Sequence, residues 1–177
     1  MKKILAALFA FALVIQAAQP VPRQAKNFTF KFPDGTTKTL ASMKGQVVVI
    51  QFLYTWCEHC QNTARMLSNV ESQLGPKGVQ VVGVAFNDQV NTDNKAANNA
   101  TTKQFQTQFA NFPVGLAPQP EVLGYLGISV MERYAVPQMM VIDKKGVIRA
   151  QTKPLPEGKL QNENYLKDLL NKLLNES

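Results

Sequence analysis

Cysteine is scarce in this chain of 177 residues: there are two, Cys57 and Cys60, with the single histidine, His59, between them. So few cysteines exclude a disulfide framework. A pair separated by two residues closes a loop too small to constrain the unfolded chain. A closed zinc site is excluded as well, because it takes four ligands. His59 would add only a third, from a position between the two cysteines where it converges poorly with both. Arginines clustered with aromatics are also missing, so nucleic acid is not an expected partner. Lysine and arginine (19) outnumber aspartate and glutamate (12), for a formal charge of +7. These charges are scattered and read as a solvated basic surface, with weak attraction to anionic membranes or acidic partners as its furthest consequence. No internal repeat and no second domain is visible.

A long apolar run is lacking too. Ile4 to Ile15 is uninterrupted but short of the about 20 residues that span a bilayer. Lys2 and Lys3 precede it, and Gln16-Ala17-Ala18 follows with small residues at a cleavage position. That is the pattern of a secretory signal peptide, so residues 1–18 are expected to be removed and 19–177 to form one domain. The alternative is retention as a membrane anchor. No cysteine follows the run, which excludes lipid attachment there. The expected location is the periplasm or another extracytoplasmic space. There disulfides persist, and a two-cysteine chain that is neither stapled nor zinc-bound reads as redox-active.

What is present is a frame for that motif. "QVVVIQFL", Gln46 to Leu53, is rich in β-branched residues and predicts a strand buried on both faces. Cys60, Ala64, Leu67 and Leu74 recur at helical spacing up to Gly75-Pro76. A second strand is predicted over Val79 to Phe86, completing a right-handed βαβ unit. C-x-x-C at a strand-to-helix junction is the context of a thioredoxin-like redox motif. Upstream, Phe28, Phe30 and Phe32 alternate before Asp34-Gly35, a hairpin signal. Downstream, Asn87 to Asn99 reads as an exposed loop, and Thr101-Thr102-Lys103-Gln104 as a capping box opening a helix with Phe105 and Phe109. Short strands are predicted at Phe112 to Leu116, Gln138 to Asp143 and Val147 to Ala150, and a helix start at Pro120-Glu121. Tyr165, Leu166, Leu169, Leu170, Leu173 and Leu174 form one face of a last helix.

From about Phe28 to Leu174 the chain resembles the thioredoxin superfamily in its exported TlpA/ResA-like branch. The resemblance is carried by "FTFKFPDGTTKTLASMKGQVVVIQFLYTWCEHC", by Trp56 before the first cysteine, by "YAVPQMMVID" and by "DKKGVI". It implies an α/β fold: a central mixed β-sheet flanked by helices, with an N-terminal β-hairpin. It also implies that Pro137 is the cis-proline facing the motif, and that Trp56, Val136 and Pro137 line a substrate groove. There the Val136 backbone would be offered to a client strand. The implied partners are client proteins with cysteines or disulfides, such as apocytochrome thiols, and a membrane thiol donor of electrons. The protein itself is expected to act as a monomer, with no metal and no cofactor beyond the Cys57–Cys60 disulfide.

Disulfide exchange needs an attacking thiolate and a thiol that resolves the mixed disulfide. Cys57 at a helix start, where the dipole and free N–H groups favour an anion, is the expected nucleophile. Cys60, one turn in, is the expected resolving thiol. Glu58 and His59 would tune the couple in opposite directions, His59 toward oxidising and Glu58 toward reducing. "CEHC" mixes the device of the DsbA-type oxidants with that of the ResA-type reductants, and the N-terminal frame favours the reductant. Thioredoxin's buried aspartate, six residues before the first cysteine, is Gln51 here. An amide cannot take a proton from Cys60, which leaves Glu58 or water. A peroxidase on this fold is a weaker alternative, since Ile50 and Tyr54 stand where its Pro-x-x-x-Thr-x-x-Cys pattern needs Pro and Thr. A copper carrier using the cysteines with Met139 and Met140 is another, but those methionines fit a strand.

Overall fold

The computed structural model describes residues 20–86, 95–155 and 157–176, and only the backbone of 95–97. The expected signal peptide lies outside the described residues. Among the described residues no helix is long and apolar enough to cross a membrane.

The βαβ unit forms as its pattern demands. Strand β4 (Val47–Leu53) is buried at every position and pairs in parallel with β5 (Val79–Ala85), Val47 opposite Val79. Both faces of β4 are covered, which is why its sequence shows no polar alternation. Between them runs α1 (Glu58–Leu74), which buries Cys60, Ala64, Leu67, Val70 and Leu74. It ends in a 3₁₀ turn closed by Gly78 at φ +103°, a backbone conformation that favours glycine.

Six further strands extend this pair: β1 (Arg23–Gln24), β2 (Thr29–Lys31), β3 (Thr37–Thr39), β6 (Val114–Leu116), β7 (Gln138–Ile142) and β8 (Val147–Gln151). The sheet order is β1-β8-β7-β4-β5-β6-β2-β3. β4, β5 and β6 are parallel, and every other pairing is antiparallel. The sheet is therefore mixed, with the βαβ unit at its centre. The N-terminal hairpin β2–β3 turns at Asp34, whose carboxylate accepts the Thr36 N–H at 2.9 Å. It docks on β6 beside Gly115, where a Cβ would come within 3.0 Å of the Lys31 carbonyl.

Alternate residues of the central strands feed two cores. On one face Val47, Val49, Leu53 and Met139 pack under α1 and α4 (Glu163–Asn175), with Leu166, Leu170 and Leu173. On the other, Val48, Ile50, Phe52 and Met140 pack with Phe28, Phe30 and α3 (Gln119–Leu126). Met139 and Met140 thus serve opposite cores, both fully buried.

Helix α2 (Lys95–Phe109) differs from expectation. The expected loop Asn87 to Asn99 is helical from Lys95, while 87–94 lie outside the described residues. The Ala96-Ala97 pair and Ala100 favour helix strongly enough to carry Asn98 and Asn99 along. Thr101 is therefore no cap: its hydroxyl donates back to the Asn98 carbonyl at 3.1 Å, inside the helix.

The β7–β8 turn is held by Asp143. Its Oδ1 accepts the N–H groups of Lys145 and Val147, each at 2.9 Å, and Oδ2 meets Arg149 at 3.1 Å. Burial pushes its carboxyl up, but the Val147 N–H, the Arg149 guanidinium and the Lys145 N–H outweigh this and hold it below the ordinary value. A lowered folded value means stability that is complete above the unfolded value, about 3.9, and lost as pH falls through the folded one. Asp143→Asn is expected to cost about 1 kcal/mol at neutral pH and to flatten the acid limb. Urea midpoints measured from pH 6 downward test this; an unchanged acid slope would contradict it.

Candidate active site

The dithiol sits where β4 runs into α1. Tyr54, Thr55 and Trp56 turn the chain, and Cys57 becomes the N-cap of the helix. Its N–H donates to the Tyr54 carbonyl at 3.2 Å, and its own carbonyl accepts the Gln61 N–H at 3.0 Å. Its sulfur takes the capping role usually held by an oxygen, accepting the Cys60 N–H at 3.3 Å. The N-terminal end of α1, with its positive dipole and unpaired donors, is thereby aimed at Cys57 Sγ.

The two thiols have different surroundings. Both are free, Cys57 half-buried and Cys60 fully buried in the core beneath α1. Burial, then the hydrogen bond with Cys57, pushes the Cys60 thiol well above the ordinary cysteine range. Gln51 lies on the same face of β4, also fully buried. Its Nε2 donates to the Cys60 carbonyl at 2.9 Å, while Oε1 has no hydrogen-bond partner among the described residues. The amide thus holds the backbone of Cys60 and offers no proton acceptor to its sulfur.

The rest of the expected site converges on Cys57. Strand β7 pairs antiparallel with β4, Gln138 opposite Phe52, so the segment before β7 lies against the end of β4. Val136 and Pro137 stand in that segment, and the peptide bond between them is cis. The Val136 carbonyl is 3.9 Å from Cys57 Sγ. Trp56 is 66% exposed, its ring 5.3 Å from that of Tyr54. Glu58 and His59 point outward on the first turn of α1, both exposed. The structure therefore brings Trp56, Cys57, Cys60, Val136 and Pro137 to one end of the sheet, with Glu58 and His59 on its rim.

Sequence reasoning missed four neighbours. Gln138, fully buried, ties the segment before β7 to residues 152–154. Tyr54, Tyr134 and Gln119 form a cluster beside the cleft. No local signal marks either tyrosine, because the antiparallel pairing of β4 with β7 is what brings them together.

Comparison with known proteins agrees with this geometry. The chain is 26% identical over 147 residues to a thiol-disulfide oxidoreductase ResA of Bacillus thuringiensis, covering 80% of this chain and 77% of the relative. It is 26% identical over 131 residues to a SCO1 protein homolog of Bacillus subtilis, covering 73% of this chain and 64% of that one. Among solved structures, a thiol:disulfide interchange protein of the thioredoxin family from Chlorobium tepidum superposes with a TM-score of 0.67 at 24% identity, over 89% of this chain and 100% of that one. The AhpC/TSA family model matches residues 21–151. With a thioredoxin-like sheet and a dithiol at the start of its first long helix, the chain belongs to the AhpC/TSA family.

Proposed function

We propose that this thiol–disulfide oxidoreductase works outside the cytoplasm as a reductant of disulfides in other proteins, with Cys57 attacking and Cys60 resolving. The observation that carries this reading is the contrast between the two sulfurs. One is half-exposed at a helix N-terminus, and the other is fully buried one turn deeper.

The steps balance as follows. The Cys57 thiolate attacks one sulfur of a client disulfide. The client S–S bond breaks, a Cys57–client bond forms, and the released client thiolate takes a proton. Cys60 then loses its proton and attacks Cys57 Sγ, releasing the second client thiolate. The client has gained two electrons and the protein is left as the Cys57–Cys60 disulfide. A membrane thiol donor would return those electrons. Gln51 cannot receive the Cys60 proton, which leaves water or Glu58, exposed on the rim, as its acceptor. A client strand lies along Val136, between Trp56 and Pro137.

Export rests on Lys2-Lys3 followed by the apolar run Ile4 to Ile15. The peroxidase alternative is weakened further: Ile50 is fully buried in β4 and Tyr54 is bonded to Tyr134.

The test is the reduction potential of the Cys57–Cys60 couple against glutathione. A value near that of thioredoxin, about −270 mV, supports a reductant, and one near that of DsbA, about −120 mV, overturns it. His59→Pro in the same assay measures the rim. Both rim side chains are exposed, so solvent and salt screen them. The expected shift is no more than about 30 mV, one tenfold step for two electrons, toward the reducing side. A larger shift would place His59 against the sulfur.

A further inference from the structure

Two tyrosines beside the dithiol take no part in the exchange steps. Tyr54 follows β4. Tyr134 lies in the segment 127–137, which joins α3 to β7 without a regular strand or helix. Their hydroxyls are 2.6 Å apart. Gln119, the first residue of α3, donates from Nε2 to Tyr134 Oη at 2.6 Å and to Tyr54 Oη at 3.4 Å. Buried Phe86 floors the pair, its ring centroid 4.8 Å from that of Tyr54 and 6.3 Å from that of Tyr134.

The pair closes a ring around the nucleophile. Tyr54 holds the Cys57 N–H through its carbonyl, and Trp56 leans on the Tyr54 ring. Two residues beyond Tyr134, the Val136 carbonyl faces Cys57 Sγ. The phenol–phenol bond therefore joins the two walls of one cleft: the Trp56 wall carried by β4, and the Val136 wall carried by the irregular segment. We infer that the Tyr54–Tyr134–Gln119 bridge sets the position of the Val136 wall against Cys57, and so determines affinity for extended polypeptide disulfides. This rests on the function proposed above.

A small disulfide needs only the Cys57 sulfur. A polypeptide must also lay its backbone along Val136, where main-chain hydrogen bonds supply affinity. A wall held in place binds without first being ordered. Loosening it removes binding that ground state and transition state share, which raises KM and spares kcat. Tyr54 and Tyr134 are thus positioning residues.

Tyr134→Phe removes one hydroxyl and keeps the ring. With insulin as the polypeptide probe, KM is expected to rise about tenfold, the scale of losing the hydroxyl's bonds to Tyr54 and Gln119. The kcat, the rate with hydroxyethyl disulfide and the reduction potential stay at wild-type values. Tyr54→Phe raises KM in the same way, and the double variant costs less than the product of the two singles, because both singles already lose the shared phenol–phenol bond. An unchanged KM overturns the inference. So does a shift in potential, an equal loss with both probes, or additive losses in the double variant. If thermal melting shows Tyr134→Phe unfolded, Tyr54→Phe decides by the same criteria. Failure of the wild type with both probes would sink the underlying function instead, and it shows without any variant.

Discussion

Cys57→Ala is expected to abolish disulfide reduction, whereas Cys60→Ala is expected to stop halfway and accumulate clients as mixed disulfides on Cys57. The first loss is on the order of a thousandfold or more, because the group that forms the covalent intermediate is gone. The second variant keeps that group at the N-cap but has nothing to break the bond it makes. The burial of Cys60 adds a pH dependence. Only the thiolate attacks, and burial pushes the Cys60 thiol well up, so it is protonated at neutral pH. Each unit of rising pH should speed release of the second client thiol by about tenfold, for as long as the pH stays below the Cys60 value. Non-reducing gels of extracytoplasmic extracts, and quenched reactions across pH 6 to 9, read both effects. Adducts on the Cys57→Ala protein would reverse the assignment, and a pH-independent release would show that another step limits turnover.

Gln138→Leu is expected to destabilise the fold strongly without altering the dithiol. The side chain is fully buried. Its Nε2 donates to the carbonyls of Ala135, Pro154 and Lys153 at 2.6, 3.0 and 3.2 Å, and its Oε1 accepts the Thr152 hydroxyl at 2.6 Å. The Pro154 carbonyl also takes the Ala135 N–H, and the Thr152 hydroxyl also accepts from Met139. The Ala135 and Lys153 carbonyls lose this donor outright. At about 1–3 kcal/mol for each buried group left unpaired, the total is ~3 kcal/mol. The melting temperature should fall by about 6–12 °C. Thr152→Val takes this hydroxyl from the Gln138 Oε1 and from the Met139 N–H, and should cost a comparable amount. A drop of under about 2 °C for Gln138→Leu would mean that the segment before β7 is held by packing alone.

The parts of this fold that were legible in the sequence share a property: their signal is local. Strand β4 and helix α1 announce themselves by composition and spacing, and C-x-x-C at their junction needs no tertiary knowledge. Strand β1 does not. It is two residues long and exists because Arg23 and Gln24 pair with Ile148 and Val147, far along the chain. The start of α2 was misplaced because a capping pattern at Thr101 competed with alanine propensity upstream, and propensity won. At the site, Cys57, Cys60, Trp56 and Pro137 could be named from motif and resemblance. Gln138 could not, because a glutamine at a strand start carries no mark of the carbonyls it will meet. Tyr54 and Tyr134 are likewise joined only by the pairing of β4 with β7.

One consequence of the N-cap remains. The atom that caps α1 is the atom that reacts. As a thiolate it is a full anion facing the Cys60 N–H; once bonded to a second sulfur it is a neutral, weaker acceptor. Every turnover therefore exchanges an anionic cap on the first turn for a covalent Cys57–Cys60 link across it, so the charge at the helix end follows the electron count of the dithiol. A partner that docks over Glu58 to Gln61 meets a negative charge at the helix end on the reduced protein and a neutral disulfide on the oxidised one, and can tell by charge whether the exchange has taken place.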